Sequence, residues 1–133
     1  MKHKSAHVFI SDEIDIAKAV DEARILAEEA GFKQSEQYMV ATAVSELARN
    51  IVLYAIKGEI AMRIIERKNR RGIEVVAEDN GPGIKDIAHA MKDGFSTGGG
   101  LGLGLSGVKR LMGEFLIDTK RRIGTKITVK KWV

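Results

Sequence analysis

The sequence predicts an α+β fold, a two-layer sandwich with an antiparallel or mixed sheet and helices on one face. Three features predict it. Runs of alternating apolar and polar residues come in adjacent pairs joined by short polar turns, which is the mark of hairpins. Two long helical patterns lie early in the chain and a third, shorter one lies late. No linker, low-complexity tract or internal repeat divides the 133 residues, so 1–133 reads as one domain.

Taken in order, residues 4–10 alternate weakly and end in Val8-Phe9-Ile10, which predicts a short strand at a sheet edge. Ser11 predicts a helix cap, with Asp12, Glu13 and Asp15 at the positive end of the helix. Ile16, Val20, Ala23 and Ala27 then recur at helical spacing, and Gly31 stands where a left-handed C-terminal residue belongs, so the first helix covers 12–30. Ser35 offers a second cap, and 36–54 is helical again. Ala43, Glu46, Asn50 and Leu53 share one face of that helix. Met39, Val40, Leu47 and Ile51 extend the apolar stripe, and the run Ile51 to Tyr54 reads as core.

Residues 59–67 alternate, with Ile60, Met62 and Ile64 on one side; 68–72 read as a turn. Ile73, Val75 and Ala77 alternate next. Asp79 shares their side, which points it toward the helix-covered face at the strand's end. Residues 84–91 are short and mildly amphipathic, and 95–104 have no regular pattern and are expected to be mobile. Residues 105–112 read as the third helix. Residues 115–120 and 126–132 form a last hairpin around Arg121, Arg122 and Gly124.

Composition narrows the function classes. A hydrophobic fraction of 44% with 30% charge is ordinary for a globular protein. No apolar run approaches the roughly 18 residues of a membrane helix, and the basic start has no apolar stretch behind it, so neither membrane nor secretion is indicated. The absence of cysteine excludes disulfides and thiolate metal sites and fits a cytoplasmic location. A net charge of +4 suits anionic ligands or acidic partners and is weak ground for nucleic acid. With one Trp and four Phe, a base-stacking platform for single strands is not expected.

Most of the glycines and the single proline fall between Glu78 and Gly107. Glycine loses backbone entropy and has no side chain to pack, so its concentration points to sharp bends or close approach to a ligand. Gly102, Gly104 and Gly107 fit the dinucleotide fingerprint, but no strand directly precedes them and too little chain follows. No Gly-Lys-Ser or Gly-Lys-Thr marks a P-loop, and the protein-kinase motifs are missing. What remains is Asp79-x-Gly81-x-Gly83 after a strand, and Gly98 to Gly104 opening a helix. Asp79 can accept a hydrogen bond from an exocyclic amine such as that of adenine. Gly81 and Gly83 leave room beside the backbone. The amides of the second run suit phosphate oxygens.

Glu46 and Asn50 interrupt a stripe that should pack inward. One reading is a solvated i, i+4 polar pair at the edge of the stripe. The other is a ligand-facing pair aimed at one point. In that case Asn50 can hold Mg²⁺ through its carbonyl oxygen, and Glu46 can deprotonate a hydroxyl attacking a γ-phosphate. His3, His7 and His89 are scattered and read as surface groups. Ser96 and Thr97 allow either phosphate contact or loop chemistry. The basic turns 68–71 and 120–122 read as solvated.

Glu46-Leu-Ala-Arg-Asn50 resembles the N box of the GHKL ATPase/kinase superfamily, Asp79-Asn-Gly-Pro-Gly83 its G1 box, Gly98 to Gly104 its G2 box, and Gly124-Thr125 its final Gly-Thr element. The four occur in the family's order and cover most of the chain. Within the superfamily, Ser45 to Ile51, Ala77 to Ile84, Asp93 to Gly102 and Gly107 to Met112 resemble the RsbT-type serine/threonine kinases of the bacterial stressosome.

The resemblance implies a Bergerat-type sandwich, ATP/ADP and Mg²⁺ as cofactors, and STAS-domain stressosome proteins (RsbS/RsbR-like) as substrates. It also implies a switch of partner to an RsbU-like metal-dependent phosphatase. The sister group, the anti-sigma-factor kinases, instead holds a sigma factor and phosphorylates its STAS-domain antagonist. Carried over by residue, Glu46 is the catalytic base, Asn50 the Mg²⁺ ligand and Asp79 the adenine ligand. Gly81 and Gly83 shape the base pocket. Gly98, Gly100, Gly102, Leu103 and Gly104 line the phosphates, and Thr125 assists at the base. No motif assigns the group that stabilises γ-phosphate charge; Lys92, Lys109 and Arg110 are candidates that read first as solvated charges. The run 98–100 carries one glycine more than the family pattern.

Overall fold

Local signals start and stop the helices close to their expected positions, with two changes of cap. The computed structural model describes residues 4–55, 57–81, 104–120 and 123–133. Strand β1 (Ser5–Ile10) leads into helix α1 (Glu13–Ala30). Asp12, not Ser11, is its cap: the Asp12 carboxylate accepts from the amides of Ile14 and Asp15. The Asp15 carboxylate reaches back to the amides of Ser11 and Asp12, closing a capping box. At the far end Gly31 takes φ 100, the left-handed geometry expected of it. Helix α2 (Gln34–Asn50) starts from Lys33 with no side-chain cap, so Ser35 lies inside the first turn rather than before it.

Past Asn50 the helix widens into a π turn, Ile51–Ala55. The i→i+5 spacing of such a turn changes the phase of the side chains. Ile51 stays buried and Val52 packs against the core, but Leu53 and Tyr54 are 42% and 44% exposed, so the expected core run holds for its first two residues and Leu53 leaves the face of Glu46.

Strands β2 (Gly58–Arg67) and β3 (Arg70–Asp79) form a hairpin. Its turn is only Lys68-Asn69, with φ of 50 and 65, the pair of positive angles that suits a two-residue hairpin. Gly72 therefore lies in the strand and not in the turn. Helix α3 (Gly104–Met112) opens at Gly104 as expected and precedes β4 (Glu114–Lys120) and β5 (Gly124–Trp132). Residues 84–91 and almost all of 95–104 lie outside the described residues. The sheet order is β1-β2-β3-β5-β4 with every pair antiparallel, which resolves the expected choice of antiparallel or mixed.

The helices cover one face. Helix α1 lies against β1, β2 and β3, helix α3 against β4 and β5, and α2 sits against both helices and β3. Ile60, Met62, Ile73, Val75, Ile127 and Val129 meet Leu26, Val44 and Leu47 in one core. Each such side chain contributes about 1.5–3 kcal/mol when fully buried. The other face carries charges in cross-strand pairs, such as Arg63 to Glu74 at 2.8 Å. That contact raises the Arg63 pKa through its hydrogen bond and its charge. His7 lies there too, beside Glu59 and edge-on to Phe9, a surface group as expected.

Two outcomes follow from the α1 cap. Asp12→Ala should destabilise the fold by about 1 kcal/mol in urea unfolding, because two amides lose their acceptor. The backbone hydrogen bond from Ser11, helped by those from Asp12 and the Ser11 hydroxyl and by the charge of Lys18, lowers the Asp15 pKa from its ordinary 3.8 against an opposing desolvation cost. A carboxyl that holds its proton less tightly when folded adds stability above its unfolded pKa. That stability is lost as pH falls through the folded value. Asp15→Asn should therefore lower stability near neutral pH and flatten the remaining loss below about pH 4, read from urea midpoints across an acid series.

Candidate functional site

The site forms where β3 ends. On the helix-covered side, the register places Gly58 opposite Asp79, and Asp79 opposite Thr125. Asp79 is half-buried, and its Oδ1 accepts from the amide of Gly81 at 2.9 Å. This turn back onto its own chain orients the carboxylate. Thr125 is 8% exposed. Its Oγ1 lies 2.9 Å from Thr119 Oγ1 on the neighbouring strand.

Backbone closeness makes this arrangement possible. Gly124 takes φ 137, and a Cβ there would come within 2.0 Å of the Asp79 carbonyl oxygen. No other residue fits, because both the angle and the space exclude a side chain. At Gly58 a Cβ would stand 2.5 Å from the Glu78 carbonyl oxygen and 3.0 Å from both Asp79 Cβ and Ile51 Cγ2. Glycine at these positions keeps the ground beside Asp79 clear.

Helix α2 reaches the same place through its π turn. Ile51, next to Asn50, lies against Gly58, as does Asp79. Ala55, the last residue of the turn, lies against Gly81. The end of the helix that carries Asn50 is thus joined to the strand end that carries Asp79. Asn50 is half-buried. Glu46, one turn earlier, is 2% exposed, which discards the solvated-pair reading for it. Among the described residues Glu46 and Thr125 are the buried polar or charged side chains, and both were singled out by motif. Burying a carboxylate costs several kcal/mol that its surroundings must offset, so a helix does not place one there for packing.

The remaining expected residues divide simply. Gly104 is buried at the start of α3 with φ 59. Gly83, Gly98, Gly100, Gly102 and Leu103 lie outside the described residues, as do Lys92, Ser96, Thr97, His3 and His89. Lys109 and Arg110 are exposed on α3. In the basic turn, Arg71 pairs with Glu66 at 3.5 Å and Arg70 lies over the Trp132 ring. Gly58, Thr119 and the π turn were missed. The places of Gly58 and Thr119 follow from the strand register, where both share a row with Asp79 and Thr125.

The donor set suits a purine nucleotide with its metal. Asp79 and Thr125 place acceptor oxygens at the end of β3, glycines leave space that a Cβ would fill, and Asn50 ends the helix. No cluster of three His, Cys, Asp or Glu capable of holding a metal alone occurs among the described residues. Mg²⁺ keeps several waters and takes ligands from phosphates, so Asn50 could offer one oxygen to such an ion. No described helix is long and apolar enough to cross a membrane.

Residues 36–132 match the family of histidine kinase-, DNA gyrase B-, and HSP90-like ATPases. The chain is 49% identical over 126 residues to the serine/threonine-protein kinase RsbT of Bacillus subtilis (strain 168), covering 95% of each chain. It is 30% identical over 100 residues to the anti-sigma F factor of Caldanaerobacter subterraneus subsp. tengcongensis, covering 71% of this chain and 68% of that one. Among solved structures the mycobacterial sensor histidine kinase MprB aligns with a TM-score of 0.55 over 98% of this chain and 97% of that one. At 17% identity that likeness concerns the fold alone. The chain therefore belongs to the histidine kinase-, DNA gyrase B- and HSP90-like ATPase family, and within it is an RsbT-like serine/threonine-protein kinase.

Proposed function

We propose that this kinase uses ATP and Mg²⁺ to phosphorylate a serine or threonine on a STAS-domain protein of a stressosome. It then leaves that partner and activates an RsbU-like metal-dependent phosphatase. The observation that carries the kinase chemistry is the burial of Glu46 one turn before Asn50, on a helix whose end meets the Asp79 strand. The partner class is supported by the 49% identity to RsbT.

In this reading Asp79 and Thr125 bind the base beside Gly81 and Gly83. Gly98, Gly100, Gly102, Leu103 and Gly104 cradle the phosphates, and Asn50 holds Mg²⁺. Bound MgATP supplies the phosphoryl group and a metal charge that offsets its negative oxygens. Glu46 accepts the proton of the attacking hydroxyl at its carboxylate and orients the oxygen. A buried base held on a helix needs little reorganisation at the moment of transfer, which is how positioning lowers a barrier.

A second reading, an anti-sigma-factor kinase that sequesters a sigma factor, is favoured by the 30% identity to an anti-sigma F factor. Co-purification from the native host, with and without ATP, distinguishes the two. A STAS-domain scaffold or a phosphatase supports the first, and a sigma factor supports the second.

The site roles predict two separable losses. Glu46→Ala should lower transfer of γ-labelled phosphate to a STAS-domain substrate by roughly 10²–10⁴-fold while leaving calorimetric ATP affinity within about threefold. Full labelling by that variant would remove Glu46 as the base. Asp79→Ala should weaken ATP binding by about 10- to 100-fold, the loss of a hydrogen bond to a charged acceptor, with circular dichroism unchanged.

A further inference from the structure

Helix α3 has nine residues, fewer than a helix needs to hold its shape alone in water. Its place is therefore set by what it is tied to. Leu105, Val108 and Met112 are buried, and the helix lies against α2, β4 and β5. Apolar burial has no direction of its own, so a directed bond at one end of the helix supplies what those contacts lack.

Such a bond exists at the C-terminal end. Lys131 Nζ donates to the Leu111 carbonyl oxygen at 2.7 Å. An ammonium can only donate and a backbone carbonyl can only accept, so the sense of this bond is fixed. The last carbonyls of a helix have no partner within it, and the helix dipole favours a cation there. Two residues on, Gly113 takes φ 96 and turns the chain into β4, its amide closing on the Lys109 carbonyl oxygen at 2.9 Å.

Lys131 is otherwise an unexpected residue for its position. On β5 it follows Thr125, Ile127 and Val129 on the helix-covered side, opposite the buried Ile73. A half-buried ammonium in line with an aliphatic row costs free energy unless it gains a partner, and the end of α3 is that partner. Strand β5 thus carries Thr125 at one end and the tie to α3 at the other. Gly104, which opens α3, stands roughly 13 Å from the tied end by helical rise.

We propose that Lys131 is a positioning residue for the phosphate end of the nucleotide: by holding the last turn of α3, it fixes the first turn, where Gly104 meets the phosphates. This rests on the reading of Gly104 as part of the phosphate cradle. Lys131 touches no nucleotide in this account. Without its bond α3 takes more than one position, and the phosphates must select the one that binds, which weakens a nucleotide and spares the nucleoside.

The test is displacement of a fluorescent ADP analogue from the full chain by ADP with Mg²⁺ and by adenosine. Lys131→Met keeps the length of the side chain without its charge and should lower the ADP-to-adenosine affinity ratio by about three- to tenfold, part of the worth of a charged hydrogen bond. Lys131→Arg keeps a charged donor and should keep the wild-type ratio. Asp12→Ala loses stability at the distant α1 cap and should keep it too. A Met variant with the wild-type ratio overturns the proposal, as does one in which both ligands weaken alike, the mark of a merely structural role. An Arg variant that behaves like Met, or the same fall in Asp12→Ala, overturns it as well. Wild-type protein that binds ADP no better than adenosine overturns the phosphate-cradle reading itself, whereas a wild-type preference for ADP that Lys131→Met leaves unmoved overturns only the role of Lys131.

Discussion

The pairing of β3 with β5, which sets Asp79 opposite Thr125, is the constraint on which the site depends. Antiparallel strands alternate faces, so a slip of one residue would turn Asp79 to the open face and bring Glu78 inward. Hydrophobic burial guards against that slip. Ile73, Val75 and Ala77 on β3 and Ile127 and Val129 on β5 are all buried on the side that carries Asp79 and Thr125. Gly124 completes the lock by letting β5 begin directly against the Asp79 carbonyl. Core packing and the placement of Asp79 and Thr125 thus use one register.

Helix α2 supplies the second half of the site, and its irregular end matters as much as its regular body. A continued α-helix past Asn50 would have kept Leu53 on the face of Glu46 and Ala43. The π turn releases Leu53 and Tyr54 to the surface, keeps Ile51 against Gly58 and delivers Ala55 to Gly81. Wider turns of this kind are often found at functional sites. Here the turn joins the acid-and-amide helix to the strand end by direct contact.

Among the described residues the polar content of the interior is small and concentrated. Surface ion pairs on the open face, such as Arg63 with Glu74, add little stability because water screens them. Glu46 and Thr125 are different, since each is held away from water beside the strand end or the helix that serves it. A protein of this size has one core to divide between stability and chemistry. This chain places its interior polar groups on α2 and β5, at the margin where the aliphatic core gives way to glycine.

Much was legible along the chain alone. Periodicity marked three helices and five strands, and Gly31 marked an end, because these signals act between residues a few positions apart. The order of the Glu46-Asn50, Asp79-Gly81 and Gly124-Thr125 motifs pointed to a family and to the residues of a site. Burial decided what spacing left open, placing Glu46 inside rather than in water. Caps shifted by a residue or two, from Ser11 to Asp12, whose carboxylate takes the first amides, and from Ser35 to Lys33, where no side chain caps the helix. Gly58, Thr119 and the exposure of Leu53 required the tertiary structure. Their roles arise from strands paired across intervals that local patterns do not span, and from a helix turn that only its packing against β2 and β3 reveals.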